Sequence, residues 1–169
     1  MKVSKIALCS SALMFALVSN SYLMAQNSAS NTDKAFVSKV SQGGRYEVEA
    51  SRLALAKANA QNVKDLANTE VHDHELVGKK LKDISVSEHV PIAPTLNSEF
   101  QGRLNQLKGL SGDAFDKAYM DEMSAIHDKD EKLFAQEAID GSGDYKVFAG
   151  ETDLIVKRHI GAIHGADPQ

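Results

Sequence analysis

The sequence contains no Trp, only three Pro and a single Cys, and aromatic residues make up 6% of its 169 positions. A β-sandwich draws on aromatic and β-branched strands, so this scarcity points to helices. One cysteine cannot form an intramolecular disulfide, and no CxxC pair is present for redox or metal chemistry. Positive charge is not in excess either. The formal net charge of −4 lacks the basic footprint of a nucleic-acid binder. Nucleophile elbow, P-loop and dinucleotide fingerprint are all missing, so no catalytic residue is assigned. What remains is an ordinary globular balance, 43% hydrophobic and 25% charged, in a chain of one domain's length.

The first 25 residues stand apart. Lys2 and Lys5 form a positive start, Ile6 to Val18 form an apolar run broken only by Ser10 and Ser11, and Leu23-Met24-Ala25 supplies a cleavage site. The run is shorter than the about 20 residues that a membrane-spanning helix needs. Cys9 lies inside it without a lipobox. The pattern predicts export to the periplasm or the medium, with cleavage after Ala25 and no stable membrane span afterwards. Cleavage removes two lysines, no acid and the cysteine, leaving 17 basic against 23 acidic residues, a charge of −6. Residues 26–32 read as a linker, 33–164 as a helical domain and 165–169 as a tail.

Within the domain, apolar residues recur at helical spacing. Phe36, Val40, Gly43, Glu47, Ala50, Ala54 and Ala58 mark a first long helix over 33–60 with Thr32 as its cap. Gly43 and Gly44 cost it roughly 1 kcal/mol each, a cost that close approach of a neighbouring helix would explain. Val63, Ala67, Glu70, His74, Val77 and Leu81 mark a second helix over 63–85, capped by Asn62. Pro91 and Pro94 break the pattern, and a short amphipathic helix fits at 98–108. A third long helix spans 113–140, with Phe115, Tyr119, Met123, Ile126, His127, Asp130 and Phe134 on its inner face. A fourth, over 144–164, carries Phe148, Thr152, Ile155, His159 and Ala162. The expected fold is an all-α, ferritin-like four-helix bundle, with a long connection holding a short helix between its second and third long helices.

The informative residues are the polar ones in apolar stripes. Glu47 lies 13 residues before Ala60 and His74 lies 14 after it; His127 lies 15 before Ser142 and His159 lies 17 after it. With equal rise per residue in antiparallel neighbours, all four reach one central layer, and Glu70 lies one turn from His74. Buried carboxylates need a partner or a metal. Glu47, Glu70, His74, His127 and His159 suit Fe, Mn or Zn. The same residues also make a metal-free network in which Glu47 pairs with His74. Asp73, Asp116, Tyr119 and Asp130 are possible neighbours of the cluster. The Glu70–His74 spacing of four departs from the Glu-x-x-His of di-iron bundles, and no Glu precedes His159 by three. His72, on the outer face, and His89 and His164, near a loop and a terminus, fall outside the cluster.

The segment Gln42-Gly43-Gly44-Arg45-Tyr46-Glu47-Val48-Glu49-Ala50-Ser51-Arg52-Leu53-Ala54 resembles the first helix of the "domain of unknown function 4142" family. Val63 to Ala67 with Asp73-His74, Phe115 to Met123 with His127 and Phe134, and Ala149 with His159 are similar to its later helices. The resemblance implies an exported bacterial protein with a ferritin-like bundle and no established activity. It carries over Glu47, Glu49, Asp73, His74, Asp116, Tyr119, His127 and His159. Leu154 departs from a Pro frequent in members, which implies a straighter last helix. Three roles are thus expected to compete: a metal-binding bundle in envelope stress defence, a non-enzymatic envelope bundle that meets a protein partner or a second copy, and an oxidase or peroxidase with Tyr119 beside the metal.

Overall fold

The computed structural model describes residues 29–165. The expected leader, residues 26–28 of the linker and residues 166–169 of the tail lie outside the described residues. Five helices and no strand occur among the described residues: α1 (Asn31–Lys57), α2 (Gln61–Ser87), α3 (Ser98–Lys108), α4 (Gly112–Asp140) and α5 (Gly143–Ile163). The chain folds as a helical bundle. α1 packs along α2 and α4 packs along α5, while α1 also meets α4 and α2 meets α5. Three residues join α1 to α2 and two join α4 to α5, which forces each pair antiparallel. The short α3 leans on α1 and α4.

The helix starts correct two sequence-based expectations. Ser30, not Thr32, caps α1: its side chain accepts from the Asp33 amide at 3.1 Å, and Asp33 Oδ2 accepts from the Ser30 amide at 2.6 Å. That reciprocal pair is a capping box, two residues earlier than expected. Asn62 does not cap α2. The amides of Asn59 and Ala60 instead donate to Asp116 of α4, the shortest at 2.8 Å to Oδ2. A carboxylate from another helix thus serves the orphan donors at this start. Asp33 has a second task, accepting from the Ser142 amide at 3.0 Å and the Ser142 hydroxyl at 2.6 Å. It ties the first turn of α1 to the turn between α4 and α5.

Gly43 and Gly44 also differ from expectation. A Cβ at Gly43 would lie 3.6 Å from Asp130 Oδ2, and one at Gly44 would lie 3.9 Å from His74 Nδ1. Both are ordinary contact distances, so no helix approaches closely enough to require glycine.

The apolar core comes in two compartments. One gathers Ala50, Ala54, Val63, Ala67, Leu104, Phe115, Tyr119 and Met123. The other gathers Phe36, Val37, Val40, Leu81, Phe134, Tyr145, Phe148 and Val156. Along every long helix, the buried polar residues Glu47, Glu70, His74, His127 and His159 lie where one compartment gives way to the other. The segment between α2 and α3 is strapped to α1. Gln42 donates to the Thr95 carbonyl at 3.1 Å and accepts from the Asn97 amide at 2.7 Å, and Arg45 donates to the Ala93 carbonyl at 3.2 Å.

Asp33 yields a stability prediction. Burial pulls its carboxyl up, but hydrogen bonds from Ser142 and Ser30 outweigh that and hold it well below the usual carboxylate range. A depressed acid stabilises fully above its unfolded value and loses that contribution as pH falls. Asp33→Ala is therefore expected to cost about 2 kcal/mol at pH 7. The gap to wild type should narrow below about pH 4, as checked by denaturant melts at each pH.

Candidate metal centre

Four long helices each bring a polar side chain to the layer between the compartments. Periodicity explains how: Glu70 and His74 sit one turn apart on the buried face of α2, and His127 follows Met123 by one turn on α4. Glu70, His127 and His159 are fully enclosed, and His74 is 4% exposed.

Glu70 is the hub. Its Oε2 lies 3.0 Å from His74 Nε2, and its Oε1 lies 3.3 Å from His127 Nε2 and 3.2 Å from His159 Nδ1. His127 Nε2 and His159 Nδ1 are themselves 3.2 Å apart. Three ligand atoms from three helices thus form a nearly equilateral triangle. One atom from each of Glu70, His74, His127 and His159 lies within 4.8 Å of all the others.

The outer ring nitrogens decide what faces inward. His127 Nδ1 lies 2.9 Å from the Met123 carbonyl, which can only accept, so that nitrogen carries a proton. His159 Nε2 lies 2.8 Å from Asp73 Oδ2 and donates to it; Arg158 also pairs with this carboxylate. Glu47 Oε2 stands 3.5 Å from the outer nitrogen of His74, and Glu47 Oε1 stands 3.6 Å from His127 Nδ1. In their neutral forms the inner nitrogens of His127 and His159 would aim lone pairs at each other and at a carboxylate. A positive charge has to lie among them, supplied by protons or by a metal ion.

The titration behaviour without metal follows the same contacts. Burial opposes ionisation of Glu70, yet hydrogen bonds from His127, His159 and His74 hold it well below the usual range. Burial also works against charged imidazoles, but Glu47 and Glu70 push His74 up to about 9 and His127 up to about 10. Burial and the nearby Glu47 push Asp130 up to about 7.

The structure brings Glu47, Glu70, His74, His127 and His159 into one layer, with Asp73 behind His159. Asp116 belongs elsewhere, at the start of α2. Tyr119 borders the layer and meets the Ser51 hydroxyl at 2.8 Å, while burial and Glu70 raise its phenol far above the usual range. Asp130 faces Gly43 rather than the triangle. His72 is exposed. Sequence spacing could not separate inner from outer partners: Glu47 sits at the outer nitrogen of His74, and the Met123 carbonyl carries no side-chain signal at all.

The family model for "Domain of unknown function (DUF4142)" matches residues 19–164. The chain belongs to this family. DUF4142 carries no activity in its description, so the family adds sequence kinship and no chemistry. No curated protein matches the chain. Among solved structures, the crystal structure of a DUF305 fragment from Deinococcus radiodurans resembles this DUF4142 chain with a TM-score of 0.72 at 12% identity. That likeness covers 81% of this chain and 95% of the other, and it speaks to the helical fold alone. No helix among the described residues is long and apolar enough to cross a membrane.

Two outcomes test this electrostatic reading in metal-free protein. Raised imidazoles stabilise fully below their unfolded value, and this support is lost as pH rises through their folded values. Stability in EDTA should therefore fall from about pH 6.5 toward pH 9 to 10; urea melts across that range measure it. Glu70→Ala strands buried imidazolium charge and should cost about 3–5 kcal/mol. Replacing Glu47, Glu70, His74 and His127 together by Leu, which removes both carboxylates with both imidazoles, should recover much of that loss in the same melts.

Proposed function

We propose that this DUF4142 chain is an exported, ferritin-like four-helix bundle that holds one transition-metal ion through Glu70, His74, His127 and His159. The observation that carries this reading is the triangle of Glu70 Oε1, His127 Nε2 and His159 Nδ1, with edges of 3.2 to 3.3 Å. Four tetrahedral ligands at about 2.0–2.1 Å from a zinc-like ion stand roughly 3.3 Å apart, which is the spacing of that triangle. The anchoring of the outer nitrogens supports it further. Metal-bound imidazoles ordinarily donate their other N–H to a carboxylate or a carbonyl, as His159 does to Asp73 and His127 to Met123. Glu47 Oε2 faces the outer nitrogen of His74 at 3.5 Å, longer than those two hydrogen bonds.

Three imidazoles and one carboxylate suit Zn, Fe or Mn, and four protein ligands in an enclosed layer describe a holding site. The role we assign is therefore retention of the ion, and through it envelope stress defence. No catalytic residue is assigned. The residue 1–25 pattern supports a periplasmic or secreted location, and residues 33–164 constitute the single working domain.

A metal-free role has its own support: imidazolium forms of His74 and His127 balance Glu47 and Glu70 charge for charge. In that case the layer sets helix register and the protein acts through contact with a partner or a second copy.

Elemental analysis separates the two. Protein purified without chelator, or reloaded after EDTA with Zn, Fe or Mn, is expected to hold one ion per chain. His74→Ala should weaken retention by about tenfold or more. Substoichiometric metal with no uptake on reloading would leave the metal-free role standing.

A further inference from the structure

We propose that the cleft between α1 and α2 binds a small organic cation with an apolar body, its ammonium group held by Glu47 and Asp130. The cleft has a volume of ≈ 530 Å³, within the range of about 300–1,000 Å³ typical of small-molecule sites. It is cut into the second core compartment. Val40, Val77, Leu81, Ile92, Phe134 and Phe148 line its walls, and Ile92 belongs to the strap that Arg45 fastens over α1.

Glu47, Asp130 and His74 are its buried polar residues, and the more exposed Arg45, Glu49, Arg52, Glu75 and Lys82 also line it. Glu47 is fully buried, and neither of its carboxylate oxygens has a hydrogen-bond partner. Its nearest nitrogens, on His74 and His127, stand 3.5 and 3.6 Å away, beyond a good hydrogen bond. Asp130 adds a second carboxylate at 8% exposure. The partnerless oxygens of Glu47, with a second carboxylate in the same lining, ask for a cationic donor. The inner metal set does not fill this need, because it uses the opposite nitrogen of His74. A hydrated ion in the cleft would satisfy the carboxylates and leave six apolar side chains facing water. An alkyl or aryl ammonium answers both ends of the cleft, whereas a carboxylate ligand would meet like charge at the floor.

Calorimetric titration of the full chain with hexylammonium, 1-hexanol and hexanoate tests this. Hexylammonium is expected to bind once per chain, about tenfold or more tighter than hexanol, with hexanoate weakest. Glu47→Gln should erase the preference for the amine. Gly44→Leu, which places a side chain in the cleft from a position with room for a Cβ, should abolish amine binding while circular dichroism stays at the wild-type value and melting does not fall below it. Amine binding is measured both in EDTA and after metal loading, and is scored apart from metal uptake. Absence of amine binding, equal affinity for hexanol, or undiminished binding to Gly44→Leu would overturn the assignment.

Discussion

A carboxylate sealed away from water cannot be left uncompensated, and Glu70 is such a carboxylate. Its two oxygens are met by imidazoles from its own helix, from α4 and from α5. Each of those rings is in turn steadied from outside, by Met123, by Asp73 or by Glu47. The heights of α2, α4 and α5 relative to one another are therefore fixed by one charged group. A slide of one turn would carry an imidazole about 5.4 Å away and strand the carboxylate. Apolar packing alone tolerates more latitude, since Leu, Val and Ala substitute for one another with modest loss.

Much of the helical pattern was legible because it depends on local periodicity. Polar residues within apolar stripes, at matched distances from two turns, also revealed that Glu47, His74, His127 and His159 share a layer. What stayed hidden depends on contacts between distant segments. The Asp116 cap on α2 arises from a different helix, and its sequence signature is indistinguishable from that of a site neighbour. Asp33 closes on Ser142, 109 positions away, and no local rule points there. Whether Glu47 addresses the inner or the outer nitrogen of His74 turns on a rotation of a few ångströms. Spacing along a helix does not encode that.

The strap between α2 and α3 shows how a connection without regular structure gains definition. Pro91 and Pro94 forbid helix, and the backbone groups there find partners in Gln42 and Arg45 of α1. Val90 is buried beneath, so the strap also helps close the second compartment. The polar surface of α1 is thus shared between holding this strap and lining the cleft. On the far side, Arg103 lies over the rings of Tyr46 and Phe100 and pairs with Glu122, joining α3 to the opposite compartment.

The division of the core has a consequence for how order spreads through the molecule. Two greasy pockets separated by an ionic plate do not touch enough to reinforce each other directly. Cooperation between the ends of the bundle must pass through side chains whose charge depends on their surroundings. The unit that melts in one step is then set by chemistry at its waist: a neutralised plate couples the halves, and an uncompensated one lets each end loosen by itself.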